Sequence, residues 1–365
     1  MLSGPSLIGS ACRRAPPTRT GDHLTVLPVN DPALVRRAVT ALGLDPDEVL
    51  DIRSRRRDGL AVDRPLTVRH LLTHHVELRT RPTADQLAAL AAANPCPPER
   101  AALMASASGD GERRTLVEVV EAYPALRGAL DRPALLDLLT PLRPRPYSVS
   151  SSPAADPAHV DLMVSLLEAP ARSGDGTYTG VGSGYLNTVK PGDTVLARIQ
   201  PCREAFRIDH DDPAPVIMVA AGTGLAPFRG AIADRVALRA AGAELAPALC
   251  YFGCDAPDAD FLHADELRAA EAAGAVSLRP AFSAAPVDGV TFVQHRIAAE
   301  ADEVGDLLDA GARVLVCGDG SRMAPGVREA FRALLAERHP DGGPGRGLDD
   351  LIASGRYVED VYAAG

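Results

Sequence analysis

The chain has no excess of basic residues: 38 lysines and arginines face 48 aspartates and glutamates, for a formal net charge of −10. The electrostatic footprint of a nucleic-acid-binding protein is therefore absent. No apolar run approaches the roughly 20 residues that a membrane-spanning helix needs. Residues 1–17 hold no apolar core of the signal-peptide kind. We therefore expect a cytoplasmic protein with no membrane or nucleic-acid partner. The six cysteines are scattered, and Cys250 and Cys254 have no second pair nearby to complete a zinc site. They read as reduced, buried thiols, and no metal is expected.

What is present is a globular composition, 46% hydrophobic and 24% charged, over 365 residues. That length suggests two or three domains. Residues 1–19 show no clear period and read as disordered or poorly packed. Residues 22–28, DHLTVLP, read as a short strand ended by proline. From Asp31 to Leu139 apolar residues recur at helical spacing, over 33–42, 68–75, 84–93, 115–123 and 133–139. Each run has a start signal: Asp31, Thr67, Thr83, Thr115 and Asp131. Strands are expected at 147–151, 160–167 and 194–199. Together with residues 22–28 they would form a small antiparallel barrel, interrupted in sequence by the helical block. From Pro215 onward strands and helices alternate, which predicts a doubly wound parallel sheet.

Five motifs carry candidate chemistry. VIMVAAGTGLAPFRG, residues 216–230, runs from a buried strand through Gly222, Thr223 and Gly224 into a helix with Pro227 in its first turn. A helix start of this kind binds phosphate. Proline stands where the third glycine of a G-x-G-x-x-G would be, so alone the motif reads equally as a plain strand–turn–helix junction. RPYSVSS, residues 145–151, offers Arg145 for a phosphate, Tyr147 to stack on a flat heterocycle and Ser148 to bond its edge; alone it reads as a barrel strand. TGVGSGYL, residues 179–186, reads as a phosphate nest or as a glycine-rich turn. VLVCGDGSRMA, residues 314–324, brings Cys317 to the end of a buried strand. RYVEDVY, residues 356–362, ends on an aromatic able to cover a flat ring.

The order of these motifs is more specific than any one of them. With GDHLTVLPVND, YFGCDAPDADFL and FVQHRI, they make residues 20–362 similar to the FAD/NADPH part of the diflavin reductases, a ferredoxin-reductase-like module found in cytochrome P-450 reductase, the sulfite reductase flavoprotein and the nitric oxide synthase reductase. The resemblance implies an antiparallel FAD-binding barrel (1–30 and 142–210), a helical connecting insertion (31–141) and an NAD(P)-binding domain (211–365). It implies that His23, Arg145, Tyr147 and Ser148 hold FAD, and that Gly180, Val181, Gly182 and Ser183 cradle its pyrophosphate. Gly222, Thr223 and Gly224 would take the pyrophosphate of the nicotinamide dinucleotide. Ser283, Gly318 and Asp319 would also bind cofactor, and Ser148, Cys317 and Asp360 would line the hydride path. Tyr362 stands where the family usually carries tryptophan over the flavin.

The family's 2′-phosphate site usually reads Ser-Arg, followed by lysine and tyrosine. Here it reads Ser283-Ala284, with Val290 and Phe292 in the later region and Asp255 in place of an arginine. Charged hydrogen bonds contribute about 1.5–3 kcal/mol each, so losing these cations extends the expected donor from NADPH to NADH. No FMN-binding domain precedes residue 20. The expected reaction is therefore hydride transfer from NAD(P)H to FAD, with electrons passing to a flavodoxin-like FMN domain or a haem protein. The rival readings are a stand-alone flavodoxin or ferredoxin reductase and a degenerate or truncated remnant without turnover.

Overall fold

The computed structural model describes residues 6–11, 18–52, 62, 64–108, 112–174, 176–340 and 347–362. The chain divides into two compact units. One comprises Val26–Arg145 and Leu166–Ala197. The other comprises the segment up to Thr25, Pro146–Ser165 and everything from Arg198 on.

The first unit is helical because its sequence supplies both an apolar stripe and a cap at each start. Helices run over Pro32–Leu42, Val68–His74, Ala84–Ala93, Leu116–Ala122 and Arg132–Leu138, and the side chains of Asp31, Thr67, Thr83, Thr115 and Asp131 accept from their first-turn amides. These are the five start signals read from the sequence. Thr83 and Thr115 form full capping boxes with Gln86 and Glu118. A further helix, Pro97–Ser108, was not anticipated: Leu103 is its one buried residue, so it carries little apolar period. Leu71, Leu72, Leu87, Leu90, Leu103 and Val119 lie in the core these helices share.

The second unit is built on a five-stranded, wholly parallel sheet, as expected. Its order is Ser277–Phe282, Ala248–Cys254, Val216–Ala221, Arg313–Asp319, Tyr357–Tyr362. The central strand, VIMVAA, is buried from Val216 to Ala220 because helices cover both faces. One face packs Ile217, Val219, Val316, Val327 and Phe331. The other packs Met218, Ala220, Leu225, Phe228 and Phe252. The helix Val293–Ala299, within the FVQHRI segment, was missed because it is only seven residues long.

The smaller strands form separate ladders. His23–Val26 lies between Arg145–Ser148 and Ala197–Gln200 in a three-stranded sheet. Ser6–Ala11 pairs antiparallel with His159–Val164. This corrects the expectation that residues 1–19 lack structure: backbone pairing, invisible as a period in the sequence, recruits this segment. Residues 1–5 and 12–17 lie outside those described. Among the described residues no helix is long and apolar enough to cross a membrane.

Candidate active site

The central strand delivers the chain to its carboxyl edge at Ala221, and the next four residues, Gly222–Leu225, form a single tight turn. Gly222 has φ +53°, and a Cβ placed on it would meet nothing within 4 Å. The turn is therefore open on that side, with room for a ligand against the backbone. Gly224 also meets a steric demand within the fold. A Cβ there would lie 2.1 Å from the Cys317 carbonyl oxygen, so this glycine serves the approach of the turn to the neighbouring strand. The helix Ala226–Ala240 follows, with no acidic residue in its first turn and no side chain capping it. The turn runs directly into it, with the Ala226 amide donating to the Thr223 carbonyl, and a helix start without acidic side chains favours an anion.

Cys317 and Asp360 are register partners on adjacent strands, so both reach the same edge of the sheet. The Cys317 thiol is buried, which pushes its pKa up; the neighbouring Asp360 carboxylate pushes it further, and a hydrogen bond with Ser148 opposes the rise. The group is a neutral thiol at physiological pH. His23 Nε2 donates to Asp360 Oδ2 at 2.9 Å. Four residues far apart in sequence, His23, Ser148, Cys317 and Asp360, are thus linked at one place. Beside them the Tyr362 hydroxyl and Thr223 Oγ1 are 3.2 Å apart, joining the last strand to the glycine turn. Tyr362 as a residue stays 46% exposed. Tyr147 is half-buried on the same strand as Ser148. Asp319 accepts from the Ser321 and Arg322 amides and so shapes the loop that contains Gly320. The Gly320 amide in turn donates to the Tyr362 carbonyl at 2.8 Å.

Two contacts outside the expected set hold this edge together. Arg229 Nη1 donates to the Ser150 carbonyl and to Asp161 Oδ2, both at 3.1 Å. Gly230 lies so close to Ser151 that a Cβ would be 2.8 Å from its carbonyl oxygen. The FRG ending of the glycine motif therefore fixes the RPYSVSS segment. The sequence held these residues inside the motif but gave no sign of what they touch. At the next strand end, Ser283 Oγ donates to Asp255 Oδ1 at 2.8 Å.

Gly318 follows Cys317 on its strand, and the remaining expected residues belong to the helical unit. Gly180 precedes the helix Val181–Thr188, which has no side-chain cap and no acidic residue in its first turn. TGVGSGYL is thus a helix start and not a glycine-rich turn, and Val181, Gly182 and Ser183 supply its leading amides. The Ser183 hydroxyl accepts from the Leu167 amide at 3.0 Å. Arg145 Nη2 is paired with Glu77 Oε2 at 2.7 Å, a partner that sequence spacing does not reveal. Uncapped helix starts and glycine-opened backbone in both units fit the phosphates of dinucleotide cofactors.

Comparison with known proteins gives the same reading. Residues 18–185 match the FAD binding domain family, and residues 218–329 match the oxidoreductase NAD-binding domain family. The bifunctional cytochrome P450/NADPH–P450 reductase 2 of Bacillus subtilis is 38% identical over 355 residues, covering 94% of this chain and 34% of the relative. The self-sufficient cytochrome P450 monooxygenase CYP505AG1 of Oidiodendron maius is 37% identical over 358 residues, covering 94% of this chain and 33% of the relative. A Bacillus cereus bifunctional cytochrome P450/NADPH–P450 reductase is 35% identical, with 94% and 33% covered. The chain spans about a third of the length of these relatives. By its two domains and these likenesses, the chain belongs to the FAD- and NADPH-binding module of the diflavin reductases.

Proposed function

We propose that this chain takes a hydride from NAD(P)H onto FAD and passes the electrons to an FMN-bearing or haem-protein partner. The observation that carries the reading is the linked set His23–Asp360–Cys317–Ser148 at the carboxyl edge of the parallel sheet, beside the open glycine turn. FAD, when bound, supplies the two-electron acceptor and the means of releasing electrons singly. Arg145, Tyr147, Ser148 and His23 would hold it, with Gly180 to Ser183 at its pyrophosphate. Gly222, Thr223 and Gly224 would hold the donor's pyrophosphate, with Gly318, Asp319 and Ser283 along its length.

The protein's own residues contribute orientation and electrostatics. Asp360 would stabilise positive charge on the donor's nicotinamide. His23 fixes the direction of that carboxylate. Cys317 presents a neutral, polarizable thiol that packs against a planar ring without reacting with it. Ser148 offers a hydroxyl to the reduced acceptor. Tyr362 would cover the ring face.

The division into an FAD-binding barrel (1–30 and 142–210), an insertion (31–141) and a dinucleotide domain (211–365) belongs to the same proposal. The relatives named above join such a module to a P450, which supports a haem protein as acceptor. The cysteines described, Cys96, Cys202, Cys250, Cys254 and Cys317, are all free, which supports a reducing, cytoplasmic setting. The test is to load the chain with FAD, add NADPH or, separately, NADH without oxygen and follow the flavin absorbance. Rapid bleaching is expected; an FAD-loaded protein that stays oxidised would refute the reading.

A further inference from the structure

The loops leaving the second and third strands of the nucleotide sheet carry charge of one sign. Asp255, Asp258, Asp260, Asp265 and Glu266 stand between residues 253 and 266, and Asp288 stands between residues 282 and 292. Neither stretch contains a lysine or an arginine. Four arginines on neighbouring elements already have carboxylate partners: Arg229 with Asp161 and Glu266, Arg268 with Asp265, Arg279 with Glu300 and Glu303, Arg296 with Glu300.

The two loops are joined at their first residues. The Ser283 hydroxyl donates to Asp255 Oδ1 at 2.8 Å, the Ser283 amide to the Cys254 carbonyl at 2.9 Å, and the Ala284 amide to the Asp255 carbonyl at 2.8 Å. The Asp260 carboxylate accepts from the Asp255 and Ala256 amides at 2.7 and 2.9 Å. Asp255 is therefore a fixed, exposed carboxylate. It stands two residues beyond Gly253, the register partner of Ala221 at the root of the glycine turn.

We infer that Asp255 selects the sugar of the dinucleotide: its carboxylate accepts a hydrogen bond from the adenosine ribose 2′-hydroxyl, and the chain binds NADH at least as tightly as NADPH. The inference rests on the dinucleotide-binding reading above. In an open, doubly wound sheet the dinucleotide lies across the carboxyl ends of the strands, with its phosphates on the glycine turn. An acidic residue at the following strand end takes a free 2′-hydroxyl, whereas a 2′-phosphate requires a cation there. A phosphate dianion beside a fixed carboxylate is repelled. Ser283 is a positioning residue: by donating to Oδ1 it sets the carboxylate so that Oδ2 faces the sugar.

The test is calorimetric titration of the FAD-loaded protein with NAD⁺ and, separately, NADP⁺, which needs no turnover. The native chain is expected to bind NAD⁺ with a Kd equal to or below that for NADP⁺. Asp255→Ala is expected to weaken NAD⁺ severalfold and leave NADP⁺ unchanged or tighter. Asp255→Arg is expected to move the ratio at least tenfold toward NADP⁺. The flavin spectrum of each variant checks its fold, and Ser283→Ala, a milder change, is expected to weaken NAD⁺ alone. NADP⁺ bound more than tenfold tighter than NAD⁺ by the native chain would overturn this inference and leave the reductase reading intact. Equal loss of both nucleotides in Asp255→Ala and Ser283→Ala would also overturn it. Binding of neither nucleotide would overturn both readings.

Discussion

At the scale of single residues, the chemistry of the site follows from burial. The Cys317 thiol is pushed up by desolvation first and by Asp360 second, so it stays protonated across the physiological range. Burial likewise pushes Cys250 to about 12. In the folded protein at pH 8, iodoacetamide followed by mass spectrometry is therefore expected to label the half-buried Cys96 and spare Cys250 and Cys317. Early alkylation of Cys317 would show that its environment is not the one described. In the proposed reaction Asp360 would act through its charge and its bond to His23. A lost charged hydrogen bond costs about 1.5–3 kcal/mol, so Asp360→Asn is expected to slow flavin reduction roughly 10- to 100-fold while FAD stays bound. Stopped-flow traces under anaerobic conditions would measure it, and an unchanged rate would remove Asp360 from the hydride path. Gly224→Ala places a Cβ 2.1 Å from a backbone oxygen that no side-chain rotation can relieve. Overpacking of this kind costs typically ~1–3 kcal/mol, and a lowered Tm is expected even without ligand.

At the scale of elements, the helices of the insertion were legible because each begins with a side chain that satisfies its own first-turn amides. Such a local bond needs nothing from the rest of the fold. Thr115→Ala removes one half of a capping box with Glu118. It is expected to destabilise the protein by about 0.5–2 kcal/mol in urea denaturation, without changing donor affinity. The helix Pro97–Ser108 was not legible, since it buries Leu103 alone and has no apolar stripe. The helix Ala226–Ala240 was legible in extent, but its role in fixing the Ser150–Ser151 backbone was not. That role depends on contacts some 70 to 80 residues apart in sequence.

At the scale of the whole molecule, an acid-sensitive network ties the N-terminal segment to the nucleotide-binding fold. Asp234 accepts from Thr20 Oγ1 at 2.5 Å and from Ser152 Oγ, and His210 lies 3.7 Å away. Burial alone would push the Asp234 carboxyl up, but the nearby His210 imidazole and the hydrogen bonds from Ser152 and Thr20 outweigh it and hold it below the usual value. A carboxyl lowered in the folded state stabilises the fold at pH values above its unfolded value, roughly 3.9, and that stabilisation is lost as pH falls through the folded value. Stability is therefore expected to drop from about pH 4 downward, and Asp234→Asn is expected to flatten that acid limb. Acid titrations followed by circular dichroism would show an unaltered limb if the network contributed nothing.

The sequence by itself determined the alternation of strands and helices after Pro215, the helical insertion with its caps, and the ordered motifs that assign the chain to its family. Each of these is written in neighbouring residues, through a period, a cap or a glycine turn. Tertiary structure alone decided that His23, Ser148, Cys317 and Asp360 meet, that Gly224 serves the Cys317 backbone, that Ser6–Ala11 is a strand and that Ser283 anchors Asp255. Those outcomes depend on strand order and register, which bring together residues up to 337 positions apart through contacts that no local pattern encodes.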